Sequence, residues 1–374
     1  MKEPVLPLPD DVALVLQGGG ALGSFQAGAY EALREKAIDV NWIAGISIGA
    51  VNAALIAGNP PEKRLSALRD FWNLVTGGLP DITIFPSDMM KQWAHFMSAG
   101  AVASTGAPGF FRPHMLPAAF APPGSNEAIS FYDTSPLRKT LDEMVDWDLL
   151  NNGPIRVSIG AVDVETGNFA YFDTQAKDGR TEIDARHIMA SGALPPGFPP
   201  VEIDGRHYWD GGLVSNTPLA YVLEHQERRD MLVFQIDLFP ARGTMPRSIN
   251  DVWSREKDIR YSSRTRQVTD QYLRLRKEHD VIRRLLKKLP AKMRDDKDAQ
   301  RLQDIVEEGA VSIVQLIYKL QDWESGARDF EFSRSTMRDH WQQGQDAVAA
   351  TIRKGDILAR NIRDGKTASF DLGD

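Results

Sequence analysis

Residues 45–49 read Gly-Ile-Ser-Ile-Gly. A serine between two glycines, where an apolar segment gives way to a small-residue one, has the pattern of a nucleophile elbow. This is a sharp strand-to-helix turn that aims a hydroxyl out of the backbone. Gly45 and Gly49 keep side chains from colliding in such a turn. The following helix points its N-terminus at Ser47, and the Ile48 N–H helps to hold a negatively charged oxygen. On its own the motif is weak, because a tight turn capped by a serine reads the same. A second glycine group, "GGGALG" at 18–23, follows the apolar run 12–17 and admits two readings. Taken as Gly18-x-Gly20-x-x-Gly23 it fits a dinucleotide-binding fingerprint. Taken as the triple Gly18-Gly19-Gly20 it offers backbone N–H groups to an oxyanion. A third stretch, Asp210-Gly211-Gly212, is either a turn or an acidic side chain presented by a strand end with bare neighbours.

A serine nucleophile needs a base. None of the seven histidines, His95, His114, His187, His207, His225, His279 and His340, lies in a recognisable motif. His279 falls on the apolar seam of a helix, where a packed core residue is the simpler reading, and His225 reads as solvated surface. The dinucleotide reading wants an acid about 20 residues past the glycines, at the end of the second strand. Asp39 has the spacing but precedes that strand, and this reading leaves GISIG and DGG unexplained.

The elements that must position these residues alternate. "VALVLQ" (12–17) reads as a buried strand and "GSFQAGAYEALREK" as a helix with Phe25, Ala29 and Leu33 on one face. "VNWIAGIS" is a second strand and "IGAVNAALIAG" a small-residue helix. The region from about Gly77 to Asn126, rich in aromatics, Pro and Gly, reads as an insertion with short helices, whose apolar residues, Met89, Met90 and Met97 among them, either pack a satellite core or form a lid or wall for a greasy ligand. Strands are expected at 155–164 and 168–173, and a hairpin turning at Asp204-Gly205. "NTPLAYVLEHQ" starts a helix with Thr217 as N-cap and Pro218 at its first position. "MLVFQIDLF" (231–239) is a strand of the parallel-sheet kind. Beyond residue 243 the chain turns charged and helical. Val268, Tyr272, Leu275, His279, Ile282, Leu286 and Leu289 form one seam, ended by Pro290, and Leu302, Ile305, Val306, Ile313, Ile317 and Leu320 suggest a partner helix.

Composition narrows the classes. With no cysteine, disulfides, thiol catalysis and Cys-based metal sites are excluded. No secretory signal or transmembrane run is expected. The net charge of −7 is uneven, since residues 253–301 hold 16 Lys/Arg against 8 Asp/Glu, leaving −15 elsewhere. That segment is either a solvated helix face or a contact for anionic lipid. The acidic total and the lack of a known module argue against nucleic acid.

Taken together, "GGGALG", "GISIG", "ASGALPPGFPP" (190–200), "DGG" and "NTPL" (216–219), in this order, resemble the patatin-like lipid acyl hydrolases, over roughly residues 10–240. The resemblance implies a three-layer α/β/α fold with a mostly parallel sheet. It divides the chain into a hydrolase domain at 10–242, with an insertion at about 80–126, and a helical C-terminal extension at 243–374. It implies a Ser47–Asp210 dyad without histidine, metal or cofactor, and an acyl-enzyme on a lipid carboxylic ester. Gly18, Gly19, Gly20 and Ile48 would form the oxyanion hole, and Gly23, Gly45, Gly49, Gly211 and Gly212 are motif glycines. One departure stands out: Leu22 occupies a position where the family often has Arg or Lys. Hydroxyacid polyesters and thioesters are alternative substrates. A nucleotide-binding protein and an inactive lipid-binding regulator are the alternatives from other classes. A cytoplasmic protein is expected, peripheral to the membrane through the insertion or residues 253–301, with the helical seam a candidate homodimer contact.

Overall fold

The computed structural model describes residues 6–81, 88–321, 324 and 326–373. Its strands are β1 (Asp11–Leu16), β2 (Trp42–Gly45), β3 (Arg112–Pro113), β4 (Tyr132–Asp133), β5 (Arg156–Asp163), β6 (Phe169–Asp173), β7 (Val201–Ile203), β8 (Arg206–Asp210), β9 (Met231–Asp237), β10 (Val311–Ile317) and β11 (Ala368–Asp371). Nine of them form one sheet in the order β11-β10-β9-β1-β2-β5-β8-β7, with β6 also on β5, while β3 and β4 pair as a separate ribbon. The run from β11 to β5 is parallel. Strands β6, β7 and β8 pair antiparallel.

Alternation along the strands builds the layers. Val12, Leu14 and Leu16 face one core with Phe25, Leu33 and Trp341. Ala13 and Val15 face the other with Leu219, Val222 and Val233, closed by Val268 and Tyr272. Helices α1 (Gly23–Glu35) and α2 (Ile48–Ala57) follow β1 and β2 directly. The central strand β9 is buried throughout, its apolar residues Met231–Phe234 and Ile236 as the core requires and its polar Gln235 and Asp237 with them.

Three local expectations are corrected. The insertion is not a set of short helices only: Asp88–Thr105 forms an 18-residue helix. Residues 82–87 and the side chain of Met89 lie outside the described residues. The helix after NTP begins at Leu219 with Pro218 as its N-cap, so Thr217 does not cap it. Instead the Thr217 hydroxyl accepts hydrogen bonds from Gln17 Nε2 and Thr265 Oγ1.

The third correction concerns 302–320. The chain is helical only over Lys297–Val306, then enters β10. The spacing of apolar residues suited a helix, but Val311, Ile313, Val314 and Ile317 are β-branched and lie beside a buried strand that accepts a parallel neighbour. The C-terminal region is therefore helical over Ile249–Leu286, Lys297–Val306, Arg334–Arg353 and Gly355–Arg363, but it also adds β10 and β11 to the central sheet. Its helix Arg334–Arg353 packs on α1, where Trp341 Nε1 and Gln345 Nε2 both donate to buried Glu31.

Several basic residues of 253–301 bind the long helix Ile249–Leu286 to the rest of the molecule. Arg255 donates to the carbonyls of Pro240 and Ala241, Lys257 pairs with Asp329, and Arg283 donates to the Val306 carbonyl. Arg276 binds Glu308 and the Gly309 carbonyl. His279, buried on the seam, pairs with the same Glu308.

Candidate active site

The register of β5 brings Ser47 and Asp210 together. β6 occupies one edge of β5 across residues 158–162. β2 and β8 must then share the other edge, Gly45 opposite Ile159 and Asp210 opposite Ala161. These partners lie two residue steps apart on β5, roughly 7 Å along a strand. The chain leaving β2 thus meets the end of β8 head on, and Gly160 marks the junction.

Ser47 sits at φ 55°, ψ −123°, a conformation L-residues rarely adopt, immediately before α2. Such strain persists only where the surroundings over-determine it. Here the turn is held tightly. The Ser47 N–H donates to Ser191 Oγ (2.9 Å), whose own hydroxyl donates to the Gly160 carbonyl (2.6 Å). A Cβ on Gly45 would lie 2.4 Å from the Gly49 carbonyl oxygen, and one on Gly49 would lie 2.5 Å from that of Leu16. Both flanking glycines are therefore required by space.

Asp210 is 3 % exposed. Its Oδ1 accepts from the Gly212 N–H (2.7 Å), and the Ser47 hydroxyl stands close enough to lower the proton affinity of its carboxyl. Loss of water pushes the carboxyl up to about 6, opposed by the Gly212 N–H and the Ser47 hydroxyl. An acid with that affinity is better suited to accept a proton near neutral pH than an exposed aspartate. No histidine bonds to Ser47 or Asp210 among the described residues. His187 caps the helix Ala185–Ser191 with Asp184, His95 bonds to Thr336, and His340 bonds to Glu324.

The glycine loop stands beside this pair. A Cβ on Gly18 would lie 3.0 Å from Ser47 Cβ. Gly18 nevertheless departs from its expected role. Its N–H donates to the Asn216 carbonyl (3.1 Å), while Asn216 Nδ2 donates to the Gly18 carbonyl (2.9 Å). That two-way clamp ties the first glycine to the NTP segment and leaves Gly19 and Gly20 as the loop's available donors. Gly20 has φ 55°, and a Cβ there would lie 2.2 Å from the Asp329 carbonyl oxygen. Leu22 is fully buried in the core.

Sequence reasoning missed the residues that hold this loop from outside. Gln17 is fully buried; its Oε1 accepts from the N–H groups of Leu238 (2.6 Å) and Phe239 (3.1 Å). Its Nε2 donates to Thr217 Oγ1 and to the Tyr261 carbonyl on the long helix. Arg264 donates to the Val214 carbonyl, just past the DGG segment. Asp329, pressed on Gly20, is fixed by Lys257 (2.7 Å). The signal available for Gln17 was a polar residue closing an apolar strand before the glycines. Ser191 lay within the ASGALPPGFPP motif but without a role assigned to it, and for Lys257, Arg264 and Asp329 there was no signal.

The chain matches the patatin-like phospholipase family over residues 14–223, more than half its length, and it belongs to that family. A further family described as patatin phospholipase matches residues 259–364. Among its relatives is an uncharacterised NTE family protein of Mycobacterium bovis, 27% identical over 209 residues, which cover 56% of this chain and 44% of the relative. A lysophospholipase of Mycosarcoma maydis is 24% identical over 243 residues, 65% of this chain and 10% of that protein. The chain thus spans less than half the length of these two relatives. The crystal structure of VipD from Legionella pneumophila aligns with 99% of this chain and 76% of its own at 13% identity and a TM-score of 0.42.

Proposed function

We propose that the protein is a serine acyl hydrolase acting on carboxylic esters of lipids through a Ser47–Asp210 dyad. The observation that carries this reading is the strained Ser47 with its hydroxyl beside a buried carboxyl. Ser47 Oγ attacks the ester carbonyl carbon as its proton passes to Asp210. The tetrahedral oxyanion is received by the N–H groups of Gly19, Gly20 and Ile48. Donors of this kind are worth roughly 3–4 kcal/mol each in other hydrolases. The C–O bond to the alcohol then breaks, and Asp210 returns the proton to the leaving oxygen. Water, deprotonated by the same carboxylate, attacks the acyl-enzyme and frees Ser47.

The helix Asp88–Thr105 supports contact with a lipid surface, since Met90, Trp93, Phe96 and Met97 are exposed on it. Trp and Phe at an apolar–polar boundary suit the bilayer interface. Among the described residues no helix is long and apolar enough to cross a membrane.

The test is fluorophosphonate labelling with mass mapping of the adduct, run with p-nitrophenyl esters of C4 to C16 acids. The expected result is a single adduct on Ser47, turnover that depends on chain length, and a loss on the order of 10⁴ or more in kcat for Ser47→Ala. Full turnover by Ser47→Ala refutes the assignment.

A further inference from the structure

A second concavity lies away from the dyad. It encloses about 1180 Å³ at the carboxyl ends of β9, β10 and β11, and neither Ser47 nor Asp210 lines it. In open α/β sheets the crevice beyond the strand ends is where ligands bind. The long helix Ile249–Leu286 forms its other wall through Ser254, Asp258, Ser262 and Thr265.

Its chemistry is unbalanced on the inside. Asp237, the last residue of β9, lines the cavity and is only 7 % exposed. Its Oδ2 accepts from Gln235 Nε2 (2.5 Å). Its Oδ1 has no protein partner among the described residues, and neither does the buried Ser262 Oγ of the facing helix. Asp371, at the end of β11, lines the same space and repels the Asp237 carboxyl. Burial and that repulsion together push Asp237 up to about 7. A buried oxygen without a donor costs free energy until something brings one. Two facing carboxyls further favour a donor that is positively charged. Around the mouth the balance turns positive, because Arg242, Arg247, Arg266, Arg353 and Lys319 line the cavity and are exposed, against exposed Asp251, Asp346 and Asp371. Guanidinium groups so placed suit a phosphate.

We propose that this cavity binds a small ammonium–phosphate zwitterion, its N–H donors directed at Asp237 Oδ1 and Ser262 Oγ and its phosphate held by the arginines of the mouth. The ligand could be a free amino-alcohol phosphate or the same group at the head of a lipid. This site does not depend on the hydrolase assignment.

The experiment is calorimetric titration of the full chain carrying Ser47→Ala, so that no lipid is consumed. The probes are O-phosphoethanolamine, ethanolamine, inorganic phosphate and lysophosphatidylethanolamine below its micellar concentration. O-phosphoethanolamine is expected to bind at one site, at least tenfold tighter than ethanolamine or phosphate. Asp237→Asn should weaken it at least tenfold, and Arg242→Gln with Arg353→Gln should weaken it further. Binding of the lysolipid as well identifies a lipid headgroup as the source; binding of the free compound alone identifies a soluble one. Both outcomes support the site. Absence of binding by both zwitterions, equal binding of plain phosphate, or binding unchanged by Asp237→Asn overturns it. If Asp237→Asn does not fold, Ser262→Ala serves in its place, and unchanged binding there overturns the proposal equally.

Discussion

Asp210 and Asp237 end two strands of one sheet, and both are buried. Their carboxyls are pushed up by the same cause, loss of water, to about 6 and about 7. What surrounds them differs. Asp210 receives the Gly212 N–H and lies beside the hydroxyl of a serine held in a strained turn. Asp237 receives only an amide from Gln235, faces a second carboxyl and opens on a cavity. Burial alone therefore does not define a catalytic carboxylate. It makes a carboxyl responsive near neutral pH, and the neighbouring atoms decide whether the response is proton transfer or recognition.

The sharpest separation comes from replacing each with asparagine. Asp210→Asn removes the base and should lower kcat by about 10³-fold or more, as loss of a unit of the catalytic group does elsewhere. In the unmodified protein, kcat/KM should fall tenfold per pH unit below about 6, because the carboxylate is the working form and protonation removes it. The stability effect runs the other way. Each carboxyl has a folded-state affinity above its ordinary value of 3.8. The stability associated with the protonated form is thus complete below about pH 4 and is lost as pH rises through the folded-state value. At about 1.4 kcal/mol per pH unit, Asp237 costs on the order of 4 kcal/mol above pH 7, and Asp210 on the order of 3 kcal/mol above pH 6. Thermal melts should show Asp237→Asn raising Tm at pH 8 and changing little at pH 4. An equal gain at both values would break the comparison.

That contrast also marks how far the sequence was readable. The elbow around Ser47 was legible because strand, turn and helix lie within about a dozen consecutive residues, each with its own local signal. The hairpin at Asp204-Gly205 was legible for the same reason, and both residues adopt positive φ. Strands β1, β2, β5 and β9 were legible from predominantly apolar runs. The pairing of Asp210 with Ser47 was not derivable from local pattern. It depends on β2 and β8 sharing one edge of β5, a register no single segment encodes; only the resemblance suggested it. Strand β10 was misread because Leu302 to Ile317 satisfies helical spacing, whereas Glu307-Glu308-Gly309 breaks the element before Val311. The zwitterion cavity had no sequence signal, since its walls come from three strand ends and a helix far apart in the chain.

The glycine loop draws on both halves of the chain, and Gly20 tests its proposed role. An alanine there meets the Asp329 carbonyl oxygen at 2.2 Å and must hold φ near 55°. The strain of that backbone alone is about 1 kcal/mol, and the clash forces the loop or the Asp329 segment to move. Moving an oxyanion donor by a fraction of an ångström is costly, so Gly20→Ala should lower kcat about 10²-fold. Gly124→Ala is the control: φ is 85° and nothing lies within 4 Å. It carries the strain without the clash, and its kcat should stay within about twofold, measured on the same p-nitrophenyl ester.

The smallest expected effect concerns the support of Ser47 itself. Ser191 Oγ is the acceptor for the Ser47 N–H and is fully buried. Ser191→Ala keeps the volume nearly unchanged but leaves that N–H and the Gly160 carbonyl without this bridge. An unpaired buried polar group costs roughly 1–3 kcal/mol, so Tm should fall by several degrees. The Asp210 carboxyl still stands beside Ser47, and the flanking glycines still enforce the turn, so kcat should drop only about three- to tenfold. Ser191→Thr retains the hydroxyl and should recover most of the activity, although its extra methyl must fit beside Gly160. A loss in Ser191→Ala as large as that in Asp210→Asn would mean that the backbone bridge, rather than the carboxylate alone, sets the geometry of the nucleophile.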